Sequence, residues 1–230
     1  MLDSFAKQLG CPFMKIAILG GGHGCYAAAA DLSEAGHEVR LWRRDGAALA
    51  PVVEAGSSIR LKDAQGERDV RIAMATANIG DAMRGAELIV IPSPAIAQSD
   101  IARAMAPHLV DGQVVFLPPG TFGSYVMAQI VRDSGNQADV AWAETGTLPY
   151  LARKHGEREV NVTIRAIHLP TGVYPARKEK EAIEVIRQAY PAVHGCGDAL
   201  SGALMNAGPI IHPPLMVMNA APLQHFERWD

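Results

Sequence analysis

A cluster of glycines near the start of the chain is the clearest candidate for binding chemistry. The segment Gly20-Gly21-Gly22-His23-Gly24-Cys25 follows a compact apolar run, Lys15–Gly20, and precedes an alanine-rich stretch, Cys25–Ala35. Glycines permit a tight turn and the close approach of a pyrophosphate, and the following helix offers free N–H groups and a positive dipole end. We therefore predict dinucleotide binding by these six residues, with a plain strand–helix turn as the alternative. Cys25 replaces the usual third glycine or alanine but is also small.

The residues after the second predicted strand are expected to select the cofactor. His37–Trp42 alternates as a strand does, and Arg43, Arg44 and Asp45 follow it. An acidic residue at this place binds a ribose 2′-hydroxyl, whereas arginines suit a 2′-phosphate. The arginines come first, so Arg43 and Arg44 favour NADP, and Asp45 keeps NAD open.

Two proline-rich turns follow further apolar runs. Pro92-Ser93-Pro94 follows Glu87–Ile91, and Pro118-Pro119-Gly120-Thr121 follows Gln113–Leu117. Ligands of open α/β sheets bind at the carboxyl ends of the strands, so we expect Pro92, Ser93 and Pro94 to line a cofactor crevice. Ordinary loop chemistry explains the prolines equally well.

A histidine near the C-terminus is the candidate for proton transfer. His212 stands directly before two prolines, which restrict its backbone, and an imidazole gives or takes a proton near neutral pH. On residue chemistry alone, a structural histidine is the competing interpretation.

The three cysteines are widely spaced with no CxxC pair, so we expect neither a disulfide framework nor a metal site.

The pattern of elements predicts an α/β protein with a doubly wound, mostly parallel sheet, because apolar strands alternate with helices. Two hairpins are predicted, Ser58–Lys62 with Asp69–Ala73 and Tyr150–Lys154 with Glu159–Ala166. From Ala199 the chain is predicted to be helical, with breaks at Pro209 and at Pro213–Pro214. We divide the chain into an extension (1–13), a dinucleotide-binding domain (14–190) and the start of an all-α domain (191–230).

Composition excludes several classes of protein. The 230 residues carry 21 Lys and Arg against 24 Asp and Glu, and 49% are hydrophobic. A net charge of −3 provides no basic surface for nucleic acid and no polybasic run for a membrane. No apolar run reaches transmembrane length, and the first residues lack the pattern of a signal peptide. These features predict a cytoplasmic protein.

Four segments together resemble the opine dehydrogenases, the octopine/nopaline dehydrogenase family. They are KIAILGGGHGCYAAAA, FLPPGTFGS, AETGTLPYLAR at 143–153 and NAGPIIHPPLMVMNAA at 206–221. The resemblance implies a Rossmann domain followed by a helical domain, with the active site between them. It also implies the condensation of an amino acid with a 2-oxo acid such as pyruvate, and reduction of the resulting imine by NAD(P)H.

The resemblance also implies roles for single residues. His212 falls in the segment of the family's catalytic histidine. Thr121 and Thr147 lie in segments that resemble those on the amino-acid side of the cleft, and Asn206 is placed to orient substrate. Arg153 is a candidate anchor for a carboxylate, with a plain surface arginine as an equal alternative.

The chain departs from the family in one respect that bears on activity. Family members are longer, and the acidic partner of their histidine lies in a part with no counterpart here, so we expect an incomplete helical domain with little activity. The apolar stretch Leu215–Trp229 is then expected to need cover, for example in a homodimer.

Two alternatives stay open: an NADP-binding module without catalysis, and a reductase of the ketopantoate or glycerol-3-phosphate dehydrogenase type. The latter usually has a lysine near the interdomain helix, and residues 196–230 contain none.

Overall fold

Two sheets organise the structure, a computed structural model that describes residues 14–225. Its strands in chain order are β1 (Lys15–Leu19), β2 (Glu38–Trp42), β3 (Ser58–Asp63), β4 (Gly66–Arg71), β5 (Met74–Thr76), β6 (Leu88–Val90), β7 (Val114–Leu117), β8 (Ala141–Thr145), β9 (Tyr150–His155), β10 (Glu159–Arg165), β11 (Leu169–Tyr174) and β12 (Val193–Asp198). Its α-helices are α1 (His23–Glu34), α2 (Ala50–Glu54), α3 (Ile79–Met83), α4 (Ala95–Met105), α5 (Gly123–Asp133), α6 (Glu179–Ala189), α7 (Ala199–Leu204), α8 (Gly208–Met218) and α9 (Ala220–His225).

The larger sheet has eight strands in the order β12-β11-β8-β7-β6-β1-β2-β5. All neighbours in it are parallel except β8 and β11. The chain leaves β1 towards β2 and β5, then returns to β6 on the other side. This reversal makes the carboxyl ends of β1 and β6 the place where a doubly wound sheet binds its ligands. The predicted fold class is confirmed.

Both faces of the larger sheet are covered, as a parallel sheet requires. Along β1, Ile16 and Ile18 belong to one buried core, while Ala17 and Leu19 belong to the other. Helices α1 and α6 contribute to the first core, and α3, α4 and α5 contribute to the second. Every side chain of β1 after Lys15 is therefore buried, which explains its continuous apolar run.

The smaller sheet contains both predicted hairpins, in the order β4-β3-β10-β9. Strands β9 and β10 pack against α1. The Asp63 side chain is only 1% exposed and accepts from Arg68 and Arg165, at 2.8 Å in each ion pair. Arg165 also pairs with Asp31 of α1 at 2.7 Å, and Arg68 pairs with Glu34. Charge pairs thus attach the smaller sheet to the first helix.

Asp63→Asn is expected to lower the free energy of unfolding at pH 7 by about 2 kcal/mol, because it removes the buried carboxylate that Arg68 and Arg165 share. The arginines hold the pKa of Asp63 well below its ordinary value of 3.8, so its contribution is present above that pH and is lost on acidification. Urea unfolding at pH 7 and pH 3 should show a smaller difference at pH 3.

Asp69→Asn is the matched control, since Asp69 also accepts from two arginines, Arg60 and Arg158, but its side chain is 48% exposed. Exposed pairs contribute about 0–1 kcal/mol. Equal losses from the two substitutions would contradict the importance of burial at Asp63.

The C-terminal helices differ in part from expectation. The helical segment is interrupted at residues 205–207, just before Pro209. The predicted interruption at Pro213–Pro214 is wrong, because α8 runs through both prolines. Pro209 lies in the first turn, where its missing N–H costs nothing, whereas Pro213 and Pro214 each remove a backbone hydrogen bond. Strand β12 belongs to the larger sheet, so we propose that the helical segment begins at Ala199 rather than at 191. The predicted extension, 1–13, lies outside the described residues.

Helix α8 is exposed from Ile210 to Met218. Its apolar side chains are between 49% and 77% exposed, namely Ile210, Ile211, Leu215, Met216, Val217 and Met218. Within residues 14–225, no helix has the length and apolar character needed to cross a membrane.

Candidate functional site

The turn between β1 and α1 is tight on its inner side and open on its outer side. Gly20 has φ +132° and donates its N–H to the Trp42 carbonyl at 2.9 Å. A Cβ on Gly20 would lie 2.6 Å from Ser93 Oγ. In contrast, a Cβ on Gly22 would meet nothing within 4 Å. Gly20 thus serves the packing of the turn, and Gly22 leaves space above it.

Cys25 and Ser93 support the turn from below. Cys25 is fully buried, and its Sγ lies 3.9 Å from the carbonyl oxygens of Leu19 and Pro92. Burial raises the pKa of its thiol to about 11, so the sulfur is neutral and serves packing. Ser93 is also buried and donates its hydroxyl to the Leu19 carbonyl at 3.3 Å. These contacts join the ends of β1 and β6.

Two cavities meet at this turn and share Gly22, Ser93 and Pro94. The β2-side cavity, of about 290 Å³, is lined by Gly20, Gly21, Gly22, Trp42, Arg43, Arg44, Asp45, Ser93, Pro94, Ala97, Asp100, Ile101 and Ala104. The β9-side cavity, of about 350 Å³, is lined by Gly22, His23, Gly24, Pro92, Ser93, Pro94, Ala95, Pro119, Thr121, Leu148, Tyr150, Ala152 and Arg153. A dinucleotide has two halves joined by a pyrophosphate, and this arrangement offers a cavity to each half and the start of α1 to the pyrophosphate.

The charged residues after β2 have different partners. Asp45 Oδ1 accepts the N–H groups of Ala47 and Ala48 at 3.1 and 3.3 Å, so its carboxylate caps its own turn. Arg44 pairs with Asp100 at 3.1 Å, with both side chains mostly exposed.

Arg43 lies against the glycine turn. A Cβ on Gly21 would stand 2.6 Å from its Cδ. Its Nη1 donates to the Ala48 carbonyl at 3.4 Å. Within residues 14–225, Arg43 forms no ion pair. Arg43 is therefore the arginine available to a phosphate.

The first turn of α1 contacts both β9 and the end of β6. His23 Nδ1 accepts the backbone N–H of Lys154 at 2.7 Å, which places the proton of a neutral ring on Nε2. A Cβ on Gly24 would lie 3.0 Å from Pro92 Cβ, so a larger residue there would push the helix away from β6. His23 thus joins β9 to the start of α1 through its side chain.

The loop that carries Thr121 is fixed by two buried side chains outside the predicted site. Glu144 is fully buried, and its Oε1 and Oε2 accept the N–H groups of Phe122 and Ser124 at 3.0 and 2.9 Å. Burial raises the pKa of Glu144, although the backbone N–H groups oppose this rise. Gln98 donates to the Gly120 carbonyl at 3.0 Å. Together they hold Thr121 and Phe122 at φ +55° and +65°.

The remaining predicted substrate residues lie on two nearby segments. Arg153 lines the β9-side cavity with Thr121, and its Nη1 donates to the Ala152 carbonyl at 2.9 Å. Thr147 is exposed and lines neither cavity, although the Thr145 hydroxyl donates to its carbonyl at 2.6 Å. The structure thus brings Arg153 and Thr121 together beside Gly22.

Asn206 and His212 lie together at the start of α8. Asn206 Oδ1 accepts the N–H of Gly208 at 2.9 Å, and a Cβ on Gly208 would lie 3.6 Å from His212 Cδ2. A Cβ on Gly146 would lie 2.4 Å from the Asn206 nitrogen, which places Asn206 against the Thr147 loop. His212 itself is exposed and lines neither cavity.

No carboxylate pairs with His212 in the part of the chain that the structure describes. Asp198 accepts from the Ser201 N–H and hydroxyl, both at 2.9 Å, and so caps α7. Glu144 has the equivalent role at α5. Both carboxylates are therefore committed to helix starts.

Sequence comparison identifies relatives of this chain. A family model described as ketopantoate reductase PanE/ApbA matches residues 16–129. An opine dehydrogenase of Arthrobacter sp. (strain 1C) is 31% identical over 211 residues, which make up 89% of this chain and 57% of that protein. A glycerol-3-phosphate dehydrogenase (NAD(P)+) of Nitratidesulfovibrio vulgaris (strain DP4) is 36% identical over 103 residues, 44% of this chain and 30% of that protein.

Solved structures show the same fold. Octopine dehydrogenase in complex with NADH and agmatine superposes with a TM-score of 0.73 at 19% identity, over 94% of this chain and 57% of that chain. NADP+-bound yersinopine dehydrogenase gives a TM-score of 0.68 at 14% identity, over 89% and 53%. The chain thus spans somewhat more than half the length of the opine dehydrogenases that it matches. The resemblance seen in its motifs is confirmed, and the chain is a homologue of the opine dehydrogenases with the Rossmann-like fold of an NAD(P)-binding domain.

Proposed function

We propose that the chain binds NADP(H) and serves the reductive condensation of an amino acid with a 2-oxo acid such as pyruvate. The observation that carries this proposal is the meeting of two cavities at Gly22, with the unpaired Arg43 on one side and Thr121 and Arg153 on the other. The extended match to an opine dehydrogenase supports this reaction class.

The residues around the turn fit the cofactor. Gly22 leaves room for the pyrophosphate, and the first N–H groups of α1 point towards it. Arg43 suits a 2′-phosphate, because a planar guanidinium binds phosphate through two N–H groups. Asp45 is occupied with its own turn, which weakens the case for a ribose 2′-hydroxyl and hence for NAD. When bound, the cofactor supplies the hydride that reduces the imine.

The β9-side cavity would hold the substrates. Both the amino acid and the 2-oxo acid carry a carboxylate, and Arg153 is the cation that lines this cavity. Thr121 also lines this cavity and offers a hydroxyl, on a loop that Glu144 and Gln98 hold in place.

His212 would handle protons. Condensation of the amine with the carbonyl releases water, so the oxygen needs a proton and the amine must lose one. An imidazole can do both near neutral pH, and Asn206 lies beside it. His212 is exposed here, so this role requires α8 to approach the β9-side cavity.

Turnover assays test the reaction. NADPH oxidation is followed with pyruvate and a panel of amino acids, each supplied alone and together. The proposal expects oxidation only when both substrates are present, with a secondary-amine dicarboxylate as product. Oxidation with a 2-oxo acid alone would favour a simple ketoacid reductase, the second candidate suggested by the match at residues 16–129. Tight NADPH binding without turnover under any condition would favour a binding module.

Arg43→Ala is expected to weaken NADPH binding about 10- to 100-fold with less than a threefold effect on NADH, because it removes a charge-assisted contact to the 2′-phosphate. Arg44→Ala should change either affinity less than about threefold, since Arg44 forms an exposed pair with Asp100. Fluorescence titration of both nucleotides measures these constants. If the unaltered chain binds NADH more tightly than NADPH, the arginine interpretation is wrong and Asp45 is the ribose ligand.

A further inference from the structure

Two cations from distant parts of the sequence lie beside the first turn of α1. Arg43 comes from the end of β2, and a Cβ on Gly21 would stand 2.6 and 2.7 Å from its Cδ and Nε. Lys154 comes from β9, and its Nζ lies 4.1 Å from the centroid of the Tyr26 ring. Since Gly21 and Tyr26 lie on either side of the helix start, both side chains approach the same end of α1.

Lys154 is held firmly in this place. Its backbone N–H donates to His23 Nδ1 at 2.7 Å, which fixes β9 against the helix. Tyr150 and Ala152 are buried on the face of β9 that turns towards α1, and strand alternation puts Lys154 on that same face. Its Nζ lies over the ring of the fully buried Tyr26, and the Lys154 side chain as a whole is partly exposed.

Neither cation has a carboxylate partner within residues 14–225. Burial lowers the pKa of Lys154, and the positive charge of Arg43 lowers it further. Like charges held near each other disfavour the charged state unless an anion joins them. The arrangement is therefore suited to a dianion that accepts from both.

We propose that Lys154 is a second cation, beside Arg43, for the 2′-phosphate of NADP(H). This inference rests on the proposed NADP preference and extends it to a residue more than one hundred positions away. The 2′-phosphate is favoured over the pyrophosphate for two reasons. Arg43 directly follows β2, where the adenosine ribose of a Rossmann fold lies. Lys154 lines neither cavity at Gly22, where the pyrophosphate is expected.

The experiment compares adenosine 2′,5′-bisphosphate with 5′-AMP, which lacks the second phosphate. Lys154→Met retains the apolar stem over Tyr26 and removes the charge, and Lys154→Arg retains a charge. Lys180→Met is the control, because Lys180 is an exposed lysine on α6, whereas Lys154 lies on β9 beside the start of α1. We expect Lys154→Met to weaken binding of the bisphosphate about tenfold and binding of 5′-AMP less than twofold, because the substitution removes one charged contact to the 2′-phosphate. Lys154→Arg should lose less than threefold.

Calorimetric titration of the purified 230-residue chain measures these affinities, with melting temperatures as a check on folding. Equal weakening of both ligands by Lys154→Met, or no weakening of either, overturns the assignment of Lys154. If Arg43→Ala weakens binding of the bisphosphate more than that of 5′-AMP and Lys154→Met does not, the NADP preference stands and only the assignment of Lys154 is wrong. If the unaltered chain does not distinguish the bisphosphate from 5′-AMP, the NADP preference itself fails.

Discussion

Gly22→Val is expected to weaken NADPH binding at least 100-fold, beyond the range of most titrations, while the melting temperature stays within a few degrees. A Cβ at this position meets nothing within 4 Å, and the backbone has φ −84°, so valine is accommodated without strain. Its branched side chain would fill the space above the helix start that the pyrophosphate needs. Fluorescence titration and thermal unfolding of the same sample separate the two effects.

Neighbouring substitutions provide the controls. Gly22→Ala should lose binding to an intermediate extent, because one methyl group fills less of the space. Gly20→Val should instead lower stability, because Gly20 has φ +132° and a Cβ there would lie less than 3 Å from Ser93 Oγ and Cys25 Sγ. Undiminished NADPH binding by Gly22→Val would exclude the turn as the phosphate site.

His212→Asn is expected to reduce turnover in reductive condensation by roughly 10²–10⁴, the usual contribution of general acid–base catalysis. NADPH affinity should be unchanged, since His212 lines neither cavity. Steady-state rates and nucleotide titration test the two statements separately. His108→Asn is a suitable control, because His108 lies beside Gly80 at the other end of the sheet.

The absolute rate carries further information. His212 has no carboxylate partner within the described residues, and such a partner is what orients the imidazole of a catalytic histidine. We therefore expect the 230-residue chain to turn over slowly. Rapid turnover that His212→Asn leaves unchanged would contradict the assignment of His212 as the proton-transfer residue.

Sequence alone could predict the parts of the site that depend on neighbouring residues. The Gly20–Gly24 turn lies between a strand and a helix that are adjacent in the chain, and the apolar pattern of Lys15–Leu19 is unambiguous because both faces of β1 are buried. The two hairpins could also be predicted, because each joins two strands that are adjacent in the chain.

The parts that depend on tertiary contacts could not be predicted. Nothing in the segment Trp42-Arg43-Arg44-Asp45 indicates that Asp45 caps the next turn while Arg43 stays unpaired. Lys154 and Glu144 contact elements twenty or more residues away in the chain, and the residues around each of them show only the pattern of an ordinary strand. One signal was available for Lys154: the alternation from Tyr150 places it on the inner face of β9. Helix α8 continues through Pro213 and Pro214. The rule that a proline ends a helix therefore fails where the helix tolerates two missing hydrogen bonds.

Two glycines at the end of the larger sheet, Gly146 and Gly172, allow the C-terminal segment to pack directly on the backbone of the sheet. A Cβ on Gly202 would lie 2.7 Å from the Gly172 nitrogen and 2.8 Å from the Glu144 carbonyl oxygen, so α7 rests directly on the backbone of the sheet. Gly146 makes a similar contact with the Met205–Asn206 backbone. Beyond that point α8 is exposed from Ile210 to Met218. A movement of α8 relative to the sheet would therefore displace His212, while the backbone of Asn206 stays packed against Gly146.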